Sequence, residues 1–352
     1  MATRPDIHVH KKETVTTNPQ GIPGMGSVIA VIGAFDSEVS DVTVCTTKES
    51  AQAIFGTSET IGTFKGSDAI DKLFYGASAL IIVNTTTWSS ATPPVPTTTI
   101  DNTALNAALA KLSREEFNIL FVADELADAS QAIVTAWLAS EFEDKYCHGQ
   151  VAQLQKGTTS AYATSIAAFG DNPYWICTQQ INDLSLNESA ALMAGYIASL
   201  PVNKSLTHKV IPIVSKVNPE YTTEAASIGA KLLELSVPFL EVRNRLSSDY
   251  ICVNSELPNG LDLYINRVRD YVINRLEAES LLGEVSDEVT MDTAFNIVEE
   301  VKRECIKDLR LLKNIKCEIK ETNASTVRIS LTKLVFDGVI LNIDIPYSIE
   351  VQ

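Results

Sequence analysis

An α+β chain is predicted here: an α/β layer on a mostly parallel sheet, then a C-terminal domain of helices and a β-hairpin, with an extended strand arm at each end. Three observations carry that class. From Ser27 to Leu200, short apolar runs alternate with helical patterns, the order that builds a parallel sheet covered by helices. After about residue 250 the pattern changes to long amphipathic helices followed by alternating apolar residues around Asp337-Gly338, a strong hairpin signal. Both ends of the chain alternate like strands yet lie beyond Pro/Gly or Pro breaks, so neither has an obvious partner nearby.

Taken in order, residues 3–19 place Ile7, Val9, Lys11, Glu13, Val15 and Thr17 against His8, His10, Lys12, Thr14 and Thr16, an extended pattern. Asn18-Pro19-Gln20-Gly21-Ile22-Pro23-Gly24 then breaks any regular element. Val28–Gly33 reads as a buried strand, Lys48–Phe55 and Ser67–Tyr75 as short helices, and Ala79–Asn84 as a second buried strand. Thr85–Thr99, rich in Thr, Ser and Pro, reads as a linker or excursion. Helix Thr103–Leu112, capped by Asp101 or Thr103, precedes strand Asn118–Ala123 and helix Ala127–Lys145. Strand Gln150–Gln155, helix Ser160–Phe169, strand Tyr174–Thr178 and helix Asn187–Leu200 continue the alternation. Helices Leu261–Leu282 and Met291–Lys313 follow, then strands Val327–Phe336 and Val339–Ile345. The tail alternates through Ile343, Ile345, Tyr347, Ile349 and Val351, and Pro346 confines it to an edge strand or a separate arm. The expected domains are an arm over 1–20, an α/β domain over 21–250 with its excursion at 85–99, a helix/hairpin domain over 251–342, and an arm over 343–352.

With 352 residues the chain can bury a large core without staples. Its formal charge of −16 argues against wholesale binding to nucleic acid or an anionic membrane. The six cysteines show neither CxxC nor metal-ligand spacing, which reads as reduced thiols in a protein made in the cytoplasm. No signal-peptide pattern opens the chain, and its longest strongly apolar run, Ala77–Val83, is far short of the roughly 20 residues of a membrane span.

The chemistry-bearing residues point away from catalysis. His8 and His10 share a strand face but have no third ligand nearby, so a solvated pair is expected. The glycines of Gly21–Gly33 precede the strand, whereas a dinucleotide loop follows one, and no GK[ST] occurs. Acidic pairs such as Glu115–Glu116, Asp124–Glu125 and Glu299–Glu300 read as solvated helix faces and caps. No enzyme activity, cofactor or metal is expected.

One charge feature stands out. Residues 302–316 hold six basic side chains against Glu304 and Asp308. On a helical wheel Ile297, Val301, Cys305, Leu312 and Ile315 share one face, and Arg303, Lys307 and Arg310 stack opposite. The spacing allows a solvated face supported by Glu299–Arg303 and Glu304–Lys307 pairs. The second reading, behind the solvated face on spacing alone, is a basic ridge, with Lys302 and Lys313, offered to an acidic partner.

Several stretches in sequence order resemble the tail sheath proteins of contractile phages and phage-tail-like bacteriocins. They are Gly21–Phe35 (GIPGMGSVIAVIGAF), Thr46–Phe55 (TTKESAQAIF) with Gly56, Ala69–Val83 (AIDKLFYGASALIIV), Ala190–Thr207 (AALMAGYIASLPVNKSLT) and Leu261–Leu276 (LDLYINRVRDYVINRL). These are similar to that family's arm exit and first strand, its short "S-x-x-E/Q-F-G" helix, its "AG-x-x-A" helix, and its "Y-x-x-x-R" helix before a C-terminal hairpin. The large inserted outer domains of longer members are missing. In place of their "W-G-x-R-T" stretch stand Val242–Leu246 (VRNRL) and Asp249–Asn254 (DYICVN), which suits a minimal sheath.

The resemblance implies a structural subunit that polymerises around an inner tube and contracts to drive the tube through a cell envelope. It implies arm strands exchanged between subunits through Ile7, Val9, Val15, Ile343, Ile345, Ile349 and Val351. The acceptor would be a hairpin carrying Val327, Ile329, Leu331, Asp337, Gly338, Val339 and Leu341. Lys302, Arg303, Lys307, Arg310 and Lys313 become the candidate contact with the tube. Implied partners are further copies of the chain, the inner tail tube protein, and baseplate and tail terminator proteins, with no nucleic acid and no direct membrane insertion. Assembly would occur in the bacterial cytoplasm, before release as part of a virion or tailocin. The alternatives are a cytosolic α/β enzyme binding a nucleotide or sugar phosphate, and a non-contractile structural shell.

Overall fold

The computed structural model describes residues 28–57, 64–92, 94–124, 126–141, 146–150, 175–178, 184–202, 205, 211, 240–242, 250–252, 257, 262–278, 291–323, 326–336 and 340–341. These fall into two compact units, one within Thr14–Tyr264 and one within Ile265–Gln352.

The first unit is a layered α/β structure. Its strands are β1 (Val28–Gly33), β2 (Thr43–Cys45), β3 (Ala79–Asn84), β6 (Ile119–Val122), β7 (Tyr146–Gln150) and β8 (Trp175–Thr178), ordered β2-β3-β1-β6-β7-β8. Neighbours from β3 to β8 run parallel, and β2 closes the β3 edge antiparallel. β1, β3 and β6 are almost continuously apolar because helices cover both faces. On one face Ile29, Val31, Leu80, Ile82 and Phe121 join the buried residues of α1 (Lys48–Phe55), α2 (Lys65–Leu73) and α5 (Leu186–Ser199). On the other, Ala30, Ile32, Ile81, Val83 and Leu120 join Leu105, Leu109 and Leu112 of α3 (Asn102–Leu112) and Val134 and Leu138 of α4 (Asp128–Glu141). Each fully buried aliphatic or aromatic side chain contributes about 1.5–3 kcal/mol, so this double core dominates the unit's stability.

Side-chain caps fix the helix starts. Thr47 Oγ1 accepts from the Ser50 amide at 3.2 Å, and Asp101 Oδ1 from the Ala104 amide at 2.7 Å. Ser185 and Glu188 form a reciprocal capping box, so α5 begins at Leu186, one residue before the expected start. The stretch expected as a linker or excursion at 85–99 contains a small antiparallel pair, β4 (Thr87–Trp88) with β5 (Pro96–Thr97). Trp88 rests on Phe64 with ring centroids 6.1 Å apart, an anchor that Thr/Pro composition does not reveal. β7 ends where the strand was expected to begin, and residues 151–155 and the helix expected at 160–169 lie outside the described residues. A short pair, β9 (Leu240–Val242) with β10 (Tyr250–Cys252), completes the strands described in this unit.

Helix α6 (Leu263–Ala278) leads into the second unit, where α7 (Met291–Arg303) passes into a π turn over Glu304–Asp308. The helix expected to reach Lys313 therefore stops early: Arg310 has φ 51, a left-handed conformation that ends the helix. Strand β11 (Asn314–Asn323) starts soon afterwards and pairs antiparallel with β12 (Thr326–Val335). β12 in turn pairs with β13 (Ile340–Leu341) through Leu334–Leu341 and Val335–Ile340. Ile315, Ile329, Leu331 and Leu334 are buried, as are Ala294, Val298, Val301 and Cys305 on the helix and turn that pack against the hairpin. Of the face read from the helical wheel, Val301, Cys305, Leu312 and Ile315 are buried and Ile297 is half-buried.

Candidate assembly surfaces

A doubly wound parallel sheet takes ligands where the strand order reverses, at the carboxyl ends of its strands. Here that place is between β1, whose neighbours are β3 and β6, and the loops that follow them. The chain fills it with its own groups. Lys65 Nζ donates to Asp124 Oδ1 at 2.6 Å, and Asp124 Oδ2 accepts from the Ile100 amide at 3.1 Å. Asn187 Nδ2 donates to the Lys65 carbonyl at 2.7 Å. The Phe35 amide donates to Thr86 Oγ1 at 2.9 Å and to Asn84 Oδ1 at 3.2 Å, while Asn84 Nδ2 reaches the Ser37 carbonyl at 2.8 Å. Gly66 lies so close that a Cβ there would stand 2.7 Å from both the Ala34 carbonyl oxygen and the Phe35 ring. Gly66 here is a packing glycine, and it brings α2 onto the end of β1.

Among the described residues no helix is long and apolar enough to cross a membrane, and no group of three or more His, Cys, Asp or Glu could hold a metal.

In the second unit the hairpin has two distinct edges. β11 has β12 as its strand partner, and the outer edge of β12 is paired, among the described residues, only at Leu334 and Val335. Ile329 and Leu331, two of the predicted acceptor residues, are buried on the apolar face opposite Ile319 and Cys317. Val327 lies in β12 and Leu341 in β13. Asp337, Gly338 and Val339 lie outside the described residues, as do the arm residues Ile7, Val9, Val15, Ile343, Ile345, Ile349 and Val351.

The basic residues sit at the end of α7 and beyond it. Lys302 Nζ donates to Glu299 Oε1 at 2.7 Å. Arg303, 61% exposed, lies 3.6 Å from Glu300 and 4.0 Å from Asp308. Lys307, Arg310 and Lys313 are exposed, and the Lys313 amide donates to the Val335 carbonyl at 2.7 Å. The wide turn and the left-handed Arg310 remove the regular helical stacking expected of Arg303, Lys307 and Arg310. What the cations share is one helix end joined to one hairpin.

Glu304, expected to support Lys307, is engaged elsewhere. Its Oε1 accepts from the Tyr271 hydroxyl at 2.5 Å and its Oε2 from Arg275 Nε at 2.8 Å. Burial and the adjoining Glu304 carboxylate push the Tyr271 phenol well above its ordinary range. Burial, with Glu304 adding to it, pushes the Cys305 thiol up to about 12. Nothing in the spacing of Tyr271, Arg275 and Glu304 marks this cluster, since the pairing crosses between two helical segments.

No protein-family model matches the sequence, and no curated protein matches it. Solved structures do. A sheath tail protein from Desulfitobacterium hafniense superposes with a TM-score of 0.65 at 14% identity, over 95% of this chain and 99% of that one. The chain has the sheath tail protein fold. A sheath tail protein from Listeria innocua gives 0.65 at 9% identity, over 94% of this chain and 96% of that one. The helical sheath of the anti-feeding prophage in its contracted state gives 0.60 at 13% identity, over 91% and 90%. The likeness spans nearly the whole of each chain, both the layered unit and the hairpin unit of the sheath fold.

Proposed function

We propose that this chain is the sheath subunit of a contractile tail. It polymerises with copies of itself around an inner tube in the cytoplasm, and contraction drives the tube into the envelope of a target cell. The observation that carries this reading is the end-to-end fold likeness to sheath tail proteins, including one from a contracted helical sheath. In this reading each subunit works as a rigid body that rotates and moves outward, tethered to its neighbours by exchanged strands. The extended form would persist because of a barrier to contraction, not because it is the most stable state.

The outer edge of β12 is the proposed acceptor, since an open edge takes an extra strand through backbone hydrogen bonds. The alternation of Ile7, Val9 and Val15, and of Ile343, Ile345, Ile349 and Val351, would set the register of the donated strands. Head-to-tail donation does not close on itself, so it gives a helical tube and not a dimer. The cations Lys302, Arg303, Lys307, Arg310 and Lys313 are the proposed contact with an acidic face of the tube, with baseplate and terminator proteins at its two ends.

Negative-stain electron microscopy of the full-length protein and of a version lacking residues 1–18 tests the reading. Hollow striated tubes are expected from the full chain and not from the shortened one. A discrete particle from both, unchanged with concentration, would refute the sheath reading. Tubes from both would refute only the role of the N-terminal arm.

A further inference from the structure

At the end of α7 the backbone takes a path that an α-helix does not. The Leu309 amide donates to the Glu304 carbonyl at 2.8 Å, one residue further back than the α register allows, and the Leu311 amide donates to the Cys305 carbonyl at 2.8 Å. Arg310 lies between them at φ 51, where glycine usually stands because a side chain is disfavoured there. A wide turn closed by a left-handed arginine is not what Glu304–Lys313 would adopt alone. Contacts from outside the turn offset that cost.

The Lys313 amide, bonded to the Val335 carbonyl at 2.7 Å, and the buried Cys305 fix the segment from the hairpin side and from within, and Glu304 makes the side-chain contact at the first position of the turn. Its Oε1 takes the Tyr271 hydroxyl at 2.5 Å, and its Oε2 takes both Nε and Nη2 of Arg275 at 2.8 Å. Tyr271 and Arg275 are four residues apart on α6, on one helical face, so the two donors grip the carboxylate together. Glu304 and Arg275 side chains are only 23% and 25% exposed, which makes these short charge-assisted bonds stronger than surface pairs. Of the other cation–carboxylate pairs at this helix end, Lys302–Glu299 and Arg303–Glu300 are three residues apart within α7, and Arg303–Asp308 spans the turn but is long, at 4.0 Å, and exposed on both sides.

We infer that Glu304 is a positioning residue: its capture by Tyr271 and Arg275 holds the wide turn and thereby sets the placement of Lys307 and Arg310 relative to Arg303 at the end of α7. Its consequence for tube contact rests on the function proposed above, whereas the turn itself does not. The latch also explains why an acidic residue stands within the basic run.

The test is hydrogen exchange, resolved by residue, on the full-length protein and the variants Tyr271→Phe and Glu304→Gln, with Glu299→Gln as a control outside the latch. The Leu309 and Leu311 amides should exchange at least tenfold faster in both latch variants, while the Ile329 amide in the hairpin and the control stay unchanged. A general loss of packing would speed Ile329 as well and would overturn the inference, as would unchanged exchange at Leu309 and Leu311. If Glu304→Gln fails to fold, Tyr271→Phe decides alone, because it removes one hydroxyl and keeps the ring. Faster exchange with unchanged assembly on the tube would keep the latch and refute the contact reading.

Discussion

Gly195 shows how one missing side chain can set a whole interface. A Cβ at this position would stand 2.3 Å from the Lys72 carbonyl oxygen and 2.8 Å from that of Leu73. Opposite it, a Cβ on Gly76 would stand 2.2 Å from the Gly195 carbonyl. The end of α2 and the middle of α5 therefore touch backbone to backbone. This supplies a physical reason for the small residues of Ala194-Gly195-Tyr196-Ile197-Ala198, the stretch that carries the "AG-x-x-A" resemblance. Gly195→Ala is expected to destabilise the protein by about 1–3 kcal/mol, the usual cost of overpacking, and to lower Tm in calorimetry. A Tm equal to that of the parent protein would refute the contact.

The thiols give a pH dependence with a definite sign. Burial pushes Cys305 up to about 12 and Cys317 up to about 11, from an ordinary 9.0. Between those values the unfolded chain loses protons that the folded chain keeps, so stability is full below pH 9 and falls as pH rises above it. The alkaline limb of a Tm–pH curve should be shallower in Cys305→Ala than in the parent protein. Parallel limbs would count against a buried neutral thiol. The burial of Cys305 was legible from its place on the apolar face with Val301; its charged neighbour Arg275 was not.

Among the elements, the strands covered on both faces were the most legible. Val28–Gly33 and Ala79–Asn84 have the expected bounds because a short continuous apolar run rich in β-branched residues has few other ways to bury itself. Ser185 and Glu188 held a readable capping-box signal for α5, yet the start was expected one residue late. β11 was missed altogether. Its alternating charges, Lys316, Glu318, Lys320 and Glu321, continue the polarity of the preceding helix, and only Ala324 and Ser325, with no glycine, separate it from β12. The end of α7 was misplaced for a related reason: local spacing favours a helix through Lys313, and a distant pair of donors on α6 overrides it. The arms were legible only as alternation, and most of the candidate strand-exchange residues fall outside the described ones.

The cationic end of α7 is a prediction at this same scale. Arg303→Glu combined with Lys307→Glu should cost less than about 1 kcal/mol of stability, because Arg303 and Lys307 are exposed and the ion pairs of Arg303 are long. Co-sedimentation with the tube should fall sharply. Undiminished co-sedimentation would remove these residues from the proposed contact.

At the scale of the molecule, the −16 charge and the local basic run oppose each other. Copies of an acidic chain repel one another, and salt screens that repulsion over a Debye length of about 8 Å at physiological ionic strength. Salt equally weakens an attraction between the basic run and an acidic tube. Sedimentation between low and high salt should therefore show self-assembly favoured by added salt and tube association disfavoured by it. The same trend in both would mean that the basic run does not carry the tube contact.

The occupied end of the parallel sheet has a mechanical consequence. An open crevice above β1, of the kind in which many layered α/β proteins take their ligands, would leave this end of the sheet room to deform. Here Lys65, Asp124, Asn84 and Thr86 tie the loops to one another, and Gly66 lets helix and strand meet without a gap. Close packing and cross-loop hydrogen bonds at this end favour a stiff block. A block of this kind would pass a load from one face to another with little internal deformation, which is what the proposed sheath role calls for.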